Sequence, residues 1–200
     1  MRRKFQLTVS ETLVAKARDL AKRIMSEDPD RVRHLAAVAE RAEALSVTVP
    51  ATMVDTLVAS GWLHDVGYAP ALRQTGFHPL DGAMYLRGEG WPDPVCALIA
   101  HHSGSRFVAR ICGLDGPLRE FEFVEDPSSD VLTAADNTAR QDGSLVTISE
   151  RLCEKLQRHG PDWPGARANP ERDDYIRAAA RRVVQRLASM GRADDPYLNV

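Results

Sequence analysis

The sequence predicts an all-α fold, a bundle of about seven to nine helices. Three observations carry that expectation. Apolar residues recur at i, i+3, i+4 and i+7 along most of the chain. Pro, Gly and short polar residues sit at the edges of those periodic segments, where helices start and stop. No two segments alternate well enough to pair as strands. The 200 residues are enough to bury a core without covalent staples, and they read as one domain spanning the whole chain.

The first stripe is Leu13, Ala17, Leu20, Ala21 and Ile24, with Ser10 ahead of it as the expected N-cap. The second is Leu35, Val38, Ala39, Ala42 and Leu45. Pro50 suits the start of a third, formed by Val54, Leu57, Val58 and Trp62. Pro79 and Gly88 bracket a helix over 79–88, and Pro92 and Gly104 bracket another over 93–103. A helix of small residues is expected over 128–140, capped by Ser128 or Ser129. FEFVE, at 121–125, alternates weakly, but an isolated strand has nothing to pair with. Ile148, Leu152, Cys153 and Leu156 form a further stripe, with Ser149 as its expected cap. Ile176, Ala180, Val183, Val184 and Leu187 form the last. The Gly- and Pro-rich segments 67–77, 104–117 and 159–170 read as loops.

Bulk properties exclude several classes of function. The formal charge of −2 supplies no basic field for nucleic acid or anionic lipid, and the MRRK start is too short to change that. No apolar run approaches membrane-spanning length, and the N-terminus lacks a signal-peptide core. Cys96, Cys112 and Cys153 are odd in number, with no CxxC pair. That pattern suits a reducing cytoplasm and argues against a structural zinc site, with each cysteine acting as a small, partly buried hydrophobe.

The chemistry is concentrated in polar residues embedded in apolar helices. SGWLHDVGYAP, at 60–70, ends an apolar run with His64 and Asp65, a costly pair to desolvate without a partner. His34 lies in DRVRHLAAVAERA, His78 in FHPLDGA, His101 and His102 in ALIAHHSG, and Asp136 in VLTAADNTA. One such histidine reads as a hydrogen-bonded core residue. Five of them with two carboxylates are better explained by a shared cation. Both doublets precede a glycine, so each sits at a loosening helix end where adjacent side chains can turn to one point. Asp65 has two oxygens and is suited to bridge two ions about 3.5–4 Å apart. Asp30, one turn before His34, is either a partner that orients that imidazole or a first-turn acid of its helix. The imidazole and carboxylate donors suit one or two ions of manganese, iron, cobalt, nickel or zinc.

His34, the His64–Asp65 doublet and Asp136, in that order on helices, resemble the HD superfamily of metal-dependent phosphohydrolases. LHDVG is similar to the family's doublet, HPLDGA to an HPxxGA element of its dinuclear HDIG-like branches, and ALIAHHSG to the histidine-bearing helix end that follows. The resemblance covers roughly 30–140 and implies an all-α bundle; the helices over 145–190 carry no family motif and read as a structural cap. It implies that His34, His64, Asp65 and Asp136 hold one metal. Asp65, His78 and His102 would hold a second, with Asp65 a catalytic group and His101 a further ligand or an acid near the substrate. The chain departs from the cyclic-dinucleotide branch, because Tyr68 replaces a lysine and no GYP follows His102.

The implied activity is hydrolysis of a small phosphorylated molecule, a phosphoester or phosphoanhydride of nucleotide type, with no membrane or nucleic acid as partner. A di-iron oxygenase or a metal- and nucleotide-sensing module uses a similar ligand set. Arg73, Arg106 and Arg140 are candidates to hold phosphate, with a solvated surface role as the alternative. Tyr68 is a candidate for the pocket rim. His159, beside Gly160, reads as a helix-end residue and not a ligand. RDDYIRAAARRVVQRLA is expected to pack on the chain's own core or on a second copy as a homodimer.

Overall fold

The computed structural model describes residues 12–168, 170–192 and 195–199. Helix α1 (Leu13–Ile24) starts at Thr12, whose side chain accepts from the Ala15 amide; Ser10, the expected cap, lies outside the described residues. Helix α2 (Pro29–Leu45) is capped by Asp28, with Pro29 in its first turn. A single turn at Ala51–Met53 then leads into α3 (Val54–Leu63). Every residue of α3 from Leu57 to Leu63 is buried, which suits a helix that is apolar on all sides. It packs against α1 and α2. At Gly61 an added Cβ would come within 2.8 Å of the Ala39 backbone, so the missing side chain is what lets α2 and α3 approach.

Helices α4 (His78–Gly88) and α5 (Asp93–His101) form the next antiparallel layer. The segment expected to loop over 104–117 instead holds α6 (Ser105–Ile111) and the one-turn α7 (Asp115–Leu118). Their residues are too few for a helical period to show against the flanking glycines. FEFVE forms no strand. Helix α8 (Pro127–Asp136) is capped by Asp126. Ser129, expected there as the cap, fills the reciprocal position of a capping box: Asp126 accepts from its amide and its hydroxyl receives the Asp126 amide. Helix α9 (Ile148–His159) is likewise capped by Thr147 with Glu150, and Ser149 lies inside the helix. A one-turn α10 (Pro164–Arg167) precedes α11 (Glu171–Ser189).

Two apolar clusters hold these helices together. One joins α1, α3, α4 and α5 through residues such as Leu20, Leu63, Leu80, Leu86 and Ile99. The other joins α2, α8, α9 and α11 through Val38, Leu132, Ile148, Ile176 and Val183. Each fully buried Leu or Ile contributes about 1.5–3 kcal/mol relative to exposure. The clusters share α2 and α3, and those two helices supply His34 and His64. A buried ion pair ties α8 to α11: Asp130 accepts from Arg182 and Arg186, so its charge is fully paired.

The stripe expected from Ile148 to Leu156 is only half buried. Ile148 and Leu152 are buried, but Cys153 and Leu156 are exposed. The inward face of α9 instead runs through Arg151 and Lys155, because what it meets there is a polar cavity. Cys112 is exposed as well, and only Cys96 is buried. Among the described residues no helix is long and apolar enough to cross a membrane.

Candidate metal centre

Six of the predicted site residues converge on one point. His34 comes from the second turn of α2, His64 and Asp65 from the end of α3, His78 from the start of α4, His102 from the residue after α5 and Asp136 from the last position of α8. His34, His64, Asp65, His102 and Asp136 are buried. Nε2 of His34 lies 3.3 Å from Nε2 of His64 and 3.3 Å from Oδ1 of Asp136. Nε2 of His78 lies 3.3 Å from Nε2 of His102 and 3.2 Å from Oδ1 of Asp65.

Asp65 stands between the two histidine pairs. Its Oδ1 faces His78 and His102, at 3.2 and 3.7 Å. Its Oδ2 faces His64 and His34, at 3.5 and 3.6 Å, and also receives an Arg31 guanidinium N–H. Local backbone explains the placement. At Gly67 an added Cβ would lie 2.0 Å from the His78 carbonyl oxygen and 2.6 Å from the Gly82 amide. Only glycine lets the turn after Asp65 press against the start of α4. Asp81 fixes the approach to His78 from the other side, accepting from the Thr75 amide and hydroxyl and from the Gly76 amide.

The imidazoles are oriented for ligation. Nδ1 of His64 sits 2.9 Å from the Gly61 carbonyl, Nδ1 of His102 2.6 Å from the Ile99 carbonyl, and Nδ1 of His34 3.1 Å from the Arg140 carbonyl. A ring nitrogen facing a carbonyl oxygen must carry the proton, so in the neutral ring Nε2 is left as a bare lone pair. Two bare nitrogens facing each other at 3.3 Å repel unless a cation lies between them. Two nitrogens each about 2.0–2.1 Å from one ion and about 90–110° apart would be about 2.8–3.4 Å from each other. Both Nε2···Nε2 distances fall in that range. His34, His64 and Asp136 form one group able to hold an ion, and His64, Asp65 and His102 form another. The donor set therefore fits one or two divalent transition-metal ions.

Electrostatics keep His64, Asp65 and Asp136 in the protonation states that ligation requires. Burial pushes the His64 imidazole down to about 4, against the pull of Asp65. Burial opposes ionisation of Asp65, but His64 and Arg31 outweigh it and hold the carboxyl well below its usual range. At Asp136 burial is likewise outweighed, chiefly by Lys155 and His34.

Asp136 is fixed by its other oxygen. Oδ2 accepts from the Ser103 hydroxyl and lies 3.4 Å from Lys155 Nζ. Ser103 adopts a left-handed backbone, φ +51°, unusual for a residue with a side chain. Its contacts hold it there: Asn137 donates to its hydroxyl at 2.9 Å, and Arg172 donates to its carbonyl at 3.0 Å.

A cavity of about 510 Å³ opens onto this centre. Arg31, Arg151, Lys155, Arg158 and Arg172 line it, so its wall is strongly basic. Phe77, Val108, Leu114 and Trp163 supply an apolar side. Tyr68 lines the rim, 40 % exposed, stacked on the His78 ring at 3.8 Å with Arg31 over it. Burial and the nearby Asp65 raise its phenol above the usual value.

The other predicted residues lie elsewhere. Arg73 is exposed and does not line the cavity. Arg106 stacks on Phe107, Phe123 and Tyr175, away from it. Arg140 turns its guanidinium to Glu154 at 2.7 Å and serves the centre only through its carbonyl. His101 points out of the far side of α5 into a second cavity of about 470 Å³, and its Nε2 donates to the Phe121 carbonyl at 2.8 Å. Adjacent residues at a helix end diverge here, so only His102 of that doublet meets the cluster. Asp30 pairs with Arg33 at the surface and does not orient His34. The cations that do line the cavity were missed: Arg31 lies one turn before His34, and the rest come from α9 and α11, which carry no family motif and read as a cap.

A family model for the HD domain matches residues 31–179. Searches of curated proteins and of solved structures found no match.

Proposed function

The chain belongs to the HD-domain family, a family of metal-dependent phosphohydrolases, and from that premise we propose that it hydrolyses a small phosphorylated molecule of nucleotide type at the His/Asp centre. The single observation that carries the reading is that bare histidine nitrogens and ionised carboxylates converge beside a wall of five cations. His34, His64 and Asp136 would hold one ion, and Asp65, His78 and His102 a second, with Asp65 shared between them. When bound, divalent ions supply Lewis acidity: they acidify a coordinated water toward neutrality and neutralise charge growing on the phosphoryl oxygens.

The chain's own residues do the rest. The backbone carbonyls of Gly61, Ile99 and Arg140 fix the histidine rings. Arg31 orients Asp65, and Ser103 with Lys155 orients Asp136. The basic wall attracts and holds an anionic substrate, and the side formed by Phe77, Val108, Leu114 and Trp163 takes its apolar body. In the overall reaction water adds to phosphorus, the P–O bond to the leaving group breaks, and that oxygen leaves with a proton. The basic wall calls for an anionic substrate, as a phosphorylated molecule is.

A phosphate-release screen tests the proposal. Nucleoside phosphates, dinucleoside polyphosphates and model esters are incubated with the protein and manganese, iron, cobalt or nickel. The expected result is release that chelator abolishes and metal restores. No release from any substrate by fully metal-loaded protein would overturn the hydrolase reading.

A further inference from the structure

Arg151 is anomalous. It lies on the inward face of α9, its side chain is 3 % exposed, and it lines the cavity over the metal centre. Its Nε and one terminal nitrogen are buried without a hydrogen-bond partner. The nearest carboxylate, Glu154, is 3.8 Å away and gives its other oxygen to Arg140 at 2.7 Å. Leaving a buried cation unsatisfied is costly, and a fold that needed only packing there would do better with an apolar side chain. Two further cations share the wall. Arg172 is buried and uses its Nε on the Ser103 carbonyl. Lys155 lies 3.4 Å from Asp136, itself a candidate ligand.

We infer that Arg151, with Lys155 and Arg172, forms a built anion pocket beside the metal centre, and that it selects a terminal, dianionic phosphate over an internal phosphodiester. This rests on the hydrolase reading and sharpens it to a substrate class: phosphomonoesters, or polyphosphates attacked at their end. The argument is one of charge and donor count. A terminal phosphate offers three unesterified oxygens and close to two charges at neutral pH. The Arg151 guanidinium lines the cavity, so such a phosphate can accept from it while still presenting oxygen to the metal side. An internal diester has two free oxygens and one charge, so it leaves part of this cluster unpaired.

The test uses the manganese-loaded 200-residue chain and the variants Arg151→Gln and Arg151→Lys. Three quantities are read: inorganic phosphate binding by calorimetry, kcat/KM for p-nitrophenyl phosphate against bis(p-nitrophenyl) phosphate, and the melting temperature without phosphate. The wild type is expected to bind phosphate and to prefer the monoester. Arg151→Gln should weaken phosphate binding at least tenfold and lower monoester kcat/KM about a hundredfold, and the diester, with one charge fewer, should lose at least tenfold less than the monoester. Arg151→Lys should recover part of both losses. Because two nitrogens of the wild-type guanidinium lack hydrogen-bond partners and its one carboxylate neighbour is 3.8 Å away, Arg151→Gln should keep or raise the melting temperature, whereas a structural arginine would lower it.

The two readings fail separately. Phosphate binding lost in Arg151→Gln, with no turnover of any ester by wild type, would sink the hydrolase reading and leave the anion pocket standing. Turnover with phosphate binding unchanged in Arg151→Gln would sink the pocket and leave the hydrolase. Equal losses on monoester and diester would overturn the selectivity.

Discussion

His34 and His64 face each other nitrogen to nitrogen, their Nε2 atoms 3.3 Å apart and each ring held by a backbone carbonyl on its other nitrogen. The carbonyls come from different elements, Gly61 in α3 and Arg140 after α8, so the arrangement is imposed by the fold. Without a cation the contact is repulsive; with one it is a ligand pair. His78 and His102 bring their Nε2 atoms equally close, 3.3 Å, on the other side of Asp65, with the His102 ring held by the Ile99 carbonyl and His78 Nε2 3.2 Å from Asp65 Oδ1.

Ligand deletions should therefore separate the two positions. His34→Ala is expected to remove one bound manganese per chain and His78→Ala the other, while Asp65→Ala removes both. Metal content after gel filtration, with each variant's folding checked by circular dichroism, measures this. An Asp65→Ala variant that keeps full metal content would show that the carboxylate bridges nothing.

Acid should destabilise the metal-free protein in a defined window. The folded value of His64, about 4, lies below its ordinary 6.5. Between those values the unfolded chain binds a proton that the folded chain refuses, so stability is lost as pH falls from about 6.5 toward 4. His78, also pushed by burial to about 4 but one-fifth exposed, contributes in the same direction and by less. Asp65 and Asp136, held low in the fold, add stability above the usual carboxylate range that is lost at still lower pH. Melting curves in chelator from pH 7 to 4 should show a steady fall. A flat profile would mean that the buried rings accept protons freely.

Gly67→Ala should be destabilising. The new Cβ would meet the His78 carbonyl, which is backbone and cannot swing aside. Overpacking of this kind costs about 1–3 kcal/mol. A melting temperature lower by several degrees and weaker metal retention are expected. An unchanged melt would mean that the turn and α4 are not in contact.

The cysteines should react unequally. Burial pushes the Cys96 thiol up to about 11, whereas Cys112 and Cys153 are exposed. At pH 8 about one Cys96 in a thousand is thiolate. Iodoacetamide should add two groups quickly, and a third only after denaturation, as read by mass spectrometry. Rapid modification of Cys96 in the native protein would contradict its placement.

What was legible in the sequence follows from what each signal encodes. The α3 and α11 stripes were readable because an apolar face is recorded at every turn. The six converging residues were readable because ionisable groups inside apolar helices demand a shared explanation. The N-caps were misplaced by two or three residues, because Ser, Thr and Asp all cap and α8 and α9 each offer several in a row. The substrate-facing cations were not legible. Arg151 and Lys155 look like any solvated helix face until α9 is folded over the centre, while Arg106 and Arg140 lie near ligands in sequence and turn to other partners in space. His101 fails for a similar reason: adjacency to His102 says nothing about direction once the helix ends between them.

The central claim, that these side chains form a metal centre, is tested most directly by diffraction from crystals soaked in manganese, with data collected for anomalous scattering. The account predicts one peak bounded by His34, His64 and Asp136 and a second bounded by Asp65, His78 and His102. Fully exchanged crystals with no anomalous density among those six residues would contradict it.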